Sequence, residues 1–259
     1  MIFETHAHYD DERFDHDREE LFEKMHSAGI ETIINVGATI EGCHASVELA
    51  AQHDFVYAAV GVHPSEIAGL NEESFAWMKE QAAWEKTVAI GEIGLDYYWE
   101  KDPELQKKQR EWFGRQLELA RETKLPVIIH SREAAEDTKK VMLEHDAQEI
   151  PGVIHCYSYS QELAQEFVKM GYYIGVGGVV TFKNAKKLVQ TVESVPMERI
   201  LLETDAPYMA PEPHRGKRNS SLYLPYVVEK IARIRGITPR EVEDITKENA
   251  LRLFTKIAG

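Results

Sequence analysis

Cysteine is nearly missing from this chain: Cys43 and Cys156 are the only two, far apart and in no paired motif. That excludes a disulfide-stapled scaffold and points to a reducing compartment, the cytoplasm. Positive charge is also scarce. Lys and Arg total 30 against 44 Asp and Glu, a formal charge of −14. A general nucleic-acid coat shows a basic face, so the balance argues against that class. An enzyme acting on a polyanion stays open, because bound divalent cations can reverse the sign of a site. No apolar run approaches the roughly 20 residues of a membrane helix. No charged-then-apolar leader opens the chain, and the expectation is a soluble protein. Low-complexity linkers are missing, as are a phosphate-loop Gly-x-x-x-x-Gly-Lys, a Gly-x-Ser-x-Gly elbow and a dinucleotide fingerprint; "GVGG" at 175–178 is too little for one.

What the chain does have is alternation. Short runs rich in Val, Ile and Ala recur: "MIFETH", "ETIINVG", "FVYAAVGVHP", "KTVAIGEIGLD", "LPVIIHS", "PGVIHCYS", "GYYIGVGG" and "RILLETDAP". Between them lie charged segments of helical spacing, Asp15 to Ala28, Ile40 to His53, Glu104 to Thr123 and Gln161 to Met170. In the third, Trp112, Gln116, Leu119 and Ala120 fall on one face. Buried strands alternating with helices predict a parallel sheet covered by helices. Eight strand candidates in 259 residues predict a single-domain (β/α)8 TIM barrel, a fold of about 250 residues. Near the end, "TPREVEDI" reads as a helix start, with Thr238 as N-cap, Pro239 at the first helical position and Glu241 closing a capping box. The stretch 210–221, with Arg215, Lys217 and Arg218, reads as a functional loop after the last strand.

The polar residues of the strand candidates fall at their carboxyl ends, which in such a barrel converge on one mouth. His6 and His8 end the first strand, and positions two apart on a strand face the same way. His63 follows the third, Glu92 sits in the fourth, His130 and His155 end the fifth and sixth, and Asp205 ends the eighth. A lone His after "PVII" reads as a hydrogen-bonded core residue, and Asp205 before Ala-Pro as a turn former. A buried Glu92 without partners is costly, however. Taken jointly, four histidines and two carboxylates at one end of different strands form a ready two-metal site, with Glu92 placed to bridge.

With those residues go "THAH", "GVHP", "AIGEIGLDYY", "LPVIIHSREA", "GVIHCYS", "LLETDAPYMAP", "RGKRN" and "ENALRLF". In this order they resemble the TatD family of metal-dependent deoxyribonucleases, a branch of the amidohydrolase-like barrels, over nearly the whole chain. The resemblance implies that His6, His8, Glu92 and Asp205 hold one divalent cation, and that Glu92, His130 and His155 hold a second. It implies a 3'-5' exonuclease-like cleavage of DNA, at single-stranded or damaged ends. The cations are Mg²⁺, Mn²⁺ or Zn²⁺, with Asp205 and Glu92 as catalytic carboxylates. His63 is then a contact to phosphate or to the leaving oxygen, or else a structural turn residue. Arg132, Arg215, Lys217 and Arg218 are candidate contacts to the nucleic acid, whereas Lys183 reads as surface charge. Tyr97 and Tyr98 could stack on a base or pack under a loop, and Glu203 supports the site or the barrel interior. Two places depart from the family pattern: Glu4 stands where Asp is more usual, and Ser220–Ser221 where Glu-Pro is. An amidohydrolase-type enzyme acting on a small amide, lactone or phosphoester is the alternative; a metal-binding partner protein fits the ligand set least.

Overall fold

A computed structural model describes residues 1–257 of the chain. Eight parallel strands run in sequential order: β1 Ile2–Ala7, β2 Ile30–Val36, β3 Val56–Val60, β4 Thr87–Asp96, β5 Val127–Arg132, β6 Gly152–Ile154, β7 Tyr173–Val176 and β8 Ile200–Leu202. Each of the eight apolar runs contributes one. The ring closes where Ala7 bridges Ala206, flanked by His8 N–H to Ala206 O and Asp205 N–H to His6 O. This is the (β/α)8 barrel expected. The closing hydrogen bonds involve His6, His8 and Asp205 themselves, so the seam of the barrel is also part of the site.

Helices α1 Arg18–Ser27, α2 Ile40–Gln52, α3 Glu72–Gln81, α4 Pro103–Thr123, α5 Ala135–Glu144, α6 Gln161–Lys169, α7 Lys186–Ser194, α8 Leu224–Arg235 and α9 Pro239–Leu253 surround the sheet. One apolar cluster fills the space between strands and helices. A second, with Phe3, Ile34, Ala59, Ile128 and Leu201, packs on Leu253 and Phe254, so α9 covers one end of the barrel. Phe3 and Phe254 stack there at 6.3 Å. The Thr238–Glu241 capping box and Pro239 start α9 as the sequence predicts. Helix α1 begins later than Asp15, because Glu12–Phe14 form a 3-10 turn that ends at Asp15; Asp17 holds the N-cap position but its carboxylate pairs with Arg218.

Helix α4 shows how the packing serves the mouth. Asp102 caps it through Glu104 N–H, and Pro103 occupies its first position. Its buried face holds Phe113, Leu117 and Ala120, with Trp112 at the stripe's edge and only half-buried. Two glutamines on that face are also buried, and a buried amide must find partners. Gln116 accepts from Val62 N–H at 2.8 Å, and Gln109 accepts from Asp96 N–H at 3.1 Å. The helix thereby fixes the backbone beside His63 and at the end of β4.

Candidate metal centre

His6, His8, Glu92, His130, His155 and Asp205 converge at the carboxyl ends of their strands. All of them but His6 line a cavity of about 700 Å³, with His63 and Arg132 also in its wall; His6 is buried in the same cluster. Asp205 sits in the left-handed region at φ 58°, which Asp tolerates better than most residues.

The Glu92 carboxylate is divided between two donor sets. Its Oε2 lies 3.4 Å from His6 Nε2 and 3.6 Å from His8 Nε2. Asp205 Oδ1 lies 3.7 and 3.4 Å from the same two nitrogens, which are 3.1 Å apart. A tetrahedron with metal–nitrogen bonds near 2.1 Å has edges of about 3.4 Å. These five separations therefore fit four donors around one small cation. Glu92 Oε1 lies 2.8 Å from both His130 Nδ1 and His155 Nε2, which are 3.3 Å apart. His63 Nε2 stands 3.7 Å from the same oxygen. Imidazole nitrogens thus gather at both oxygens of one carboxylate, around Oε2 at metal-ligand spacing and around Oε1 at the closer spacing of hydrogen bonds.

Partners on the far side of each ring fix which nitrogen is free. His8 Nδ1 donates to Val36 O at 2.7 Å, so in the neutral ring the lone pair is on Nε2, toward the cluster. His130 Nε2 donates to Asp96 Oδ2 at 3.1 Å, leaving Nδ1 for the site. The β4–β5 register, with Gly94 beside His130 and Asp96 beside Arg132, sets that contact. Asp96 Oδ1 also accepts from Tyr98 N–H and Trp99 N–H, which pins the turn after β4. His63 Nδ1 accepts from Ser65 N–H at 3.2 Å, so Nε2 carries the proton and faces the cavity.

The electrostatics suit a cation. Burial alone would raise Glu92, but His155, His63 and His130 hold it well below the usual carboxylate range. Asp205 is likewise held low, burial being outweighed by His8, His155 and His6. Against burial, Asp205 and Glu92 push His8 up to about 9. Asp96 and Glu92 do the same for His130, also to about 9. Burial and His155 bring His6 down to about 4, and burial and His130 bring His63 down to about 3. Ionised carboxylates facing protonated imidazoles are what a metal-ligand cluster becomes when protons occupy the cation positions.

Glu203 is buried, with Oε1 accepting from Cys156 N–H at 2.5 Å and lying 3.9 Å from His155 Nδ1. A Cβ on Gly175 would come within 2.3 Å of Glu203 Oε2, so that glycine makes room for the carboxylate. Glu203, His6 and His155 also form a group with metal-ligating spacing.

The two departures from the family pattern touch each other. Ser221 Oγ donates to Glu4 Oε2 at 2.9 Å, and Glu4 Oε1 accepts from His6 N–H and Thr204 N–H. Ser221 is also bonded to the Tyr9 hydroxyl. The longer acid spans from the seam of the barrel to a serine 217 positions away.

Arg215, Lys217 and Arg218 stand outside the cavity lining. Arg218 is paired with Asp17 at 2.5 Å and donates to Arg13 O; Arg215 lies 4.2 Å over the Phe182 ring, and Lys217 is exposed. Lys183 is exposed as well. Tyr97 packs under the rim, its hydroxyl bonded to Asp137 and Arg110, whereas Tyr98 is 40% exposed. Asp96 is the residue the sequence reading passed over. Its signal was "GLDYY", a carboxylate at the end of an apolar run.

Residues 3–255 match the model of a protein family described as TatD related DNase. The chain is 45% identical over 254 residues to an uncharacterized metal-dependent hydrolase, YabD, of Bacillus subtilis (strain 168), covering 98% of this chain and 99% of that one. It is 33% identical over 265 residues to the 3'-5' ssDNA/RNA exonuclease TatD of Cronobacter sakazakii, covering 100% and 99%. Among solved structures it superposes on YjjV, a TatD homologue from Escherichia coli K12, with a TM-score of 0.90, 31% identity and 98% coverage of each chain.

Proposed function

Since the chain belongs to the TatD related DNase family and is a metal-dependent hydrolase, we propose that it is a deoxyribonuclease, 3'-5' exonuclease-like, that cleaves DNA phosphodiester bonds with two divalent cations. The observation that carries this reading is the division of Glu92 between two donor sets. His6, His8, Asp205 and Glu92 Oε2 would hold one ion, and Glu92 Oε1, His130 and His155 the other. Such a pair, when bound, neutralises the phosphodiester and acidifies a water to serve as nucleophile at neutral pH. Asp205, ionised at the mouth, accepts the proton that water gives up. His63, neutral and with its Nε2–H facing the cavity, donates to a phosphate oxygen or to the leaving oxygen. Arg132, the one Lys or Arg in the cavity wall among the described residues, contacts phosphate. Arg215, Lys217 and Arg218 act only on a strand that runs beyond the cavity. The two free cysteines support a reducing compartment, the cytoplasm; among the described residues no helix is long and apolar enough to cross a membrane.

One observation favours a second reading. Asp10, Asp11 and Glu66 share the wall with Arg132, which suits a small amide, lactone or phosphoester better than a long polyanion. A substrate panel decides between them: end-labelled single-stranded DNA, duplex DNA, RNA and small esters, each with Mg²⁺, Mn²⁺ and Zn²⁺. The nuclease reading expects stepwise shortening of single-stranded DNA from its 3' end, lost in chelator and in Glu92→Ala. Cleavage of the small esters alone refutes it.

A further inference from the structure

The rim of the cavity carries exposed aromatic surface that the chemistry above does not use. Trp99 is 70% exposed and Tyr208 47%, and both line the cavity. Trp99 follows β4 and Tyr208 follows β8, four strands apart in an eight-stranded ring, so they stand on opposite sides of the mouth. Each adjoins a further exposed apolar side chain, Tyr98 beside Trp99 and Met209 beside Tyr208, and contiguous apolar surface at the mouth of a site marks a binding surface. Each is backed by an arginine. Arg13 lies 4.4 Å over Tyr208. Arg132 lies 3.9 Å over Tyr98, which meets Trp99 edge-on at 4.7 Å, and 5.7 Å from Trp99 itself. The Trp99 turn is held by Asp96, the carboxylate that also bonds His130, so this platform is fixed relative to the metal-ligand cluster.

We infer that Trp99 and Tyr208 are two jaws that stack on unpaired nucleobases and so select single-stranded ends; this rests on the nuclease reading. Base–aromatic stacking tolerates any base, because every base has a π-face, and arginine beside the ring meets the adjoining phosphate. A base within a duplex has both faces occupied by its neighbours, and a terminal pair leaves one face only, so a duplex end can engage one jaw at most. The cavity, at about 700 Å³, is within the usual size of small-ligand sites and takes a frayed terminus, not a double helix.

The test is fluorescence anisotropy of a labelled phosphorothioate oligothymidylate on the Mn²⁺-loaded protein, single-stranded and annealed to its complement. The single strand binds more tightly than the duplex. Trp99→Ala and Tyr208→Ala each raise the single-strand Kd about tenfold and narrow the preference over duplex, while Trp99→Phe retains most of the affinity. Equal weakening of single strand and duplex, or an unchanged single-strand Kd in both alanine variants, overturns the inference. Cleavage of the unmodified oligonucleotide is read separately. Binding through the jaws without cleavage refutes the nuclease reading and leaves the clamp standing; cleavage with unaltered binding in the variants refutes the clamp alone.

Discussion

Asp96→Asn exchanges one carboxylate oxygen for an NH2 group 3.1 Å from His130 Nε2. The amide oxygen can remain on Tyr98 N–H and Trp99 N–H, which are 2.9 and 3.0 Å from Oδ1, so the turn after β4 survives. The amide nitrogen then faces the His130 N–H, donor against donor. In the neutral form that binds a cation, the ring escapes by moving its proton to Nδ1, the atom 2.8 Å from Glu92 Oε1, which removes the lone pair from the site. Loss of such an outer partner lowers metal affinity by about 10–100-fold. That is about 1.4–2.8 kcal/mol at tenfold per 1.4 kcal/mol. Calorimetric titration with Mn²⁺ should show one cation bound as in the wild type and the second weakened by that factor, and the unfolding midpoint of the metal-free protein should fall at neutral pH, where the protonated His130 loses its partner charge, and approach the wild type above about pH 9. Asp96→Ala also loses two turn hydrogen bonds, at about 1 kcal/mol each, and lowers the midpoint as well. An Asp96→Asn protein that binds both cations with wild-type affinity refutes the reasoning.

Cations held as proposed would displace protons from His8 and His130, each held up to about 9 in the metal-free protein. Apparent affinity therefore rises with pH and levels off only above that value, with proton release at neutral pH; calorimetry in buffers of different ionisation heat measures it, and a flat affinity across the neutral range contradicts it. Ser221→Ala leaves Glu4 Oε2 without its donor, while the Tyr9 hydroxyl keeps Ser221 N–H and Met25 Sδ; the cost is about 1–3 kcal/mol, read as a lower urea midpoint with an unchanged slope, and an unmoved midpoint counts against the contact. Gly175→Ala drives a methyl into Glu203 Oε2; overpacking of this kind costs about 1–3 kcal/mol, and a thermal midpoint equal to the wild type would show that Glu203 has room to move.

Much of this was legible in the chain because the barrel repeats one local rule. Each apolar run had one possible role, a strand buried on both faces, and each polar residue at its end had one possible direction. The (β/α)8 ring and the convergence of His6, Glu92, His130, His155 and Asp205 follow from those two regularities. Helices α3, α5, α7 and α8 were not singled out; in α3, Met78 is the one fully buried residue and leaves little apolar periodicity to read. Asp96 was hidden for a different reason: its partner, His130, lies 34 positions away on the neighbouring strand, and the contact depends on register. The same holds for Arg218, whose basic character suggested a ligand for nucleic acid. Its charge is matched by Asp17, 201 positions earlier. Glu4 and Ser221 were each visible as departures, but only the closed barrel shows that one accepts a hydrogen bond from the other.

In the proposed site Glu92 joins two cation positions. Diffraction from crystals grown with Mn²⁺, collected at the manganese absorption edge, tests it directly. Two anomalous peaks are expected on either side of the Glu92 carboxylate, one among His6, His8 and Asp205 and the other between His130 and His155. A single peak, or two peaks that do not share Glu92, contradicts it.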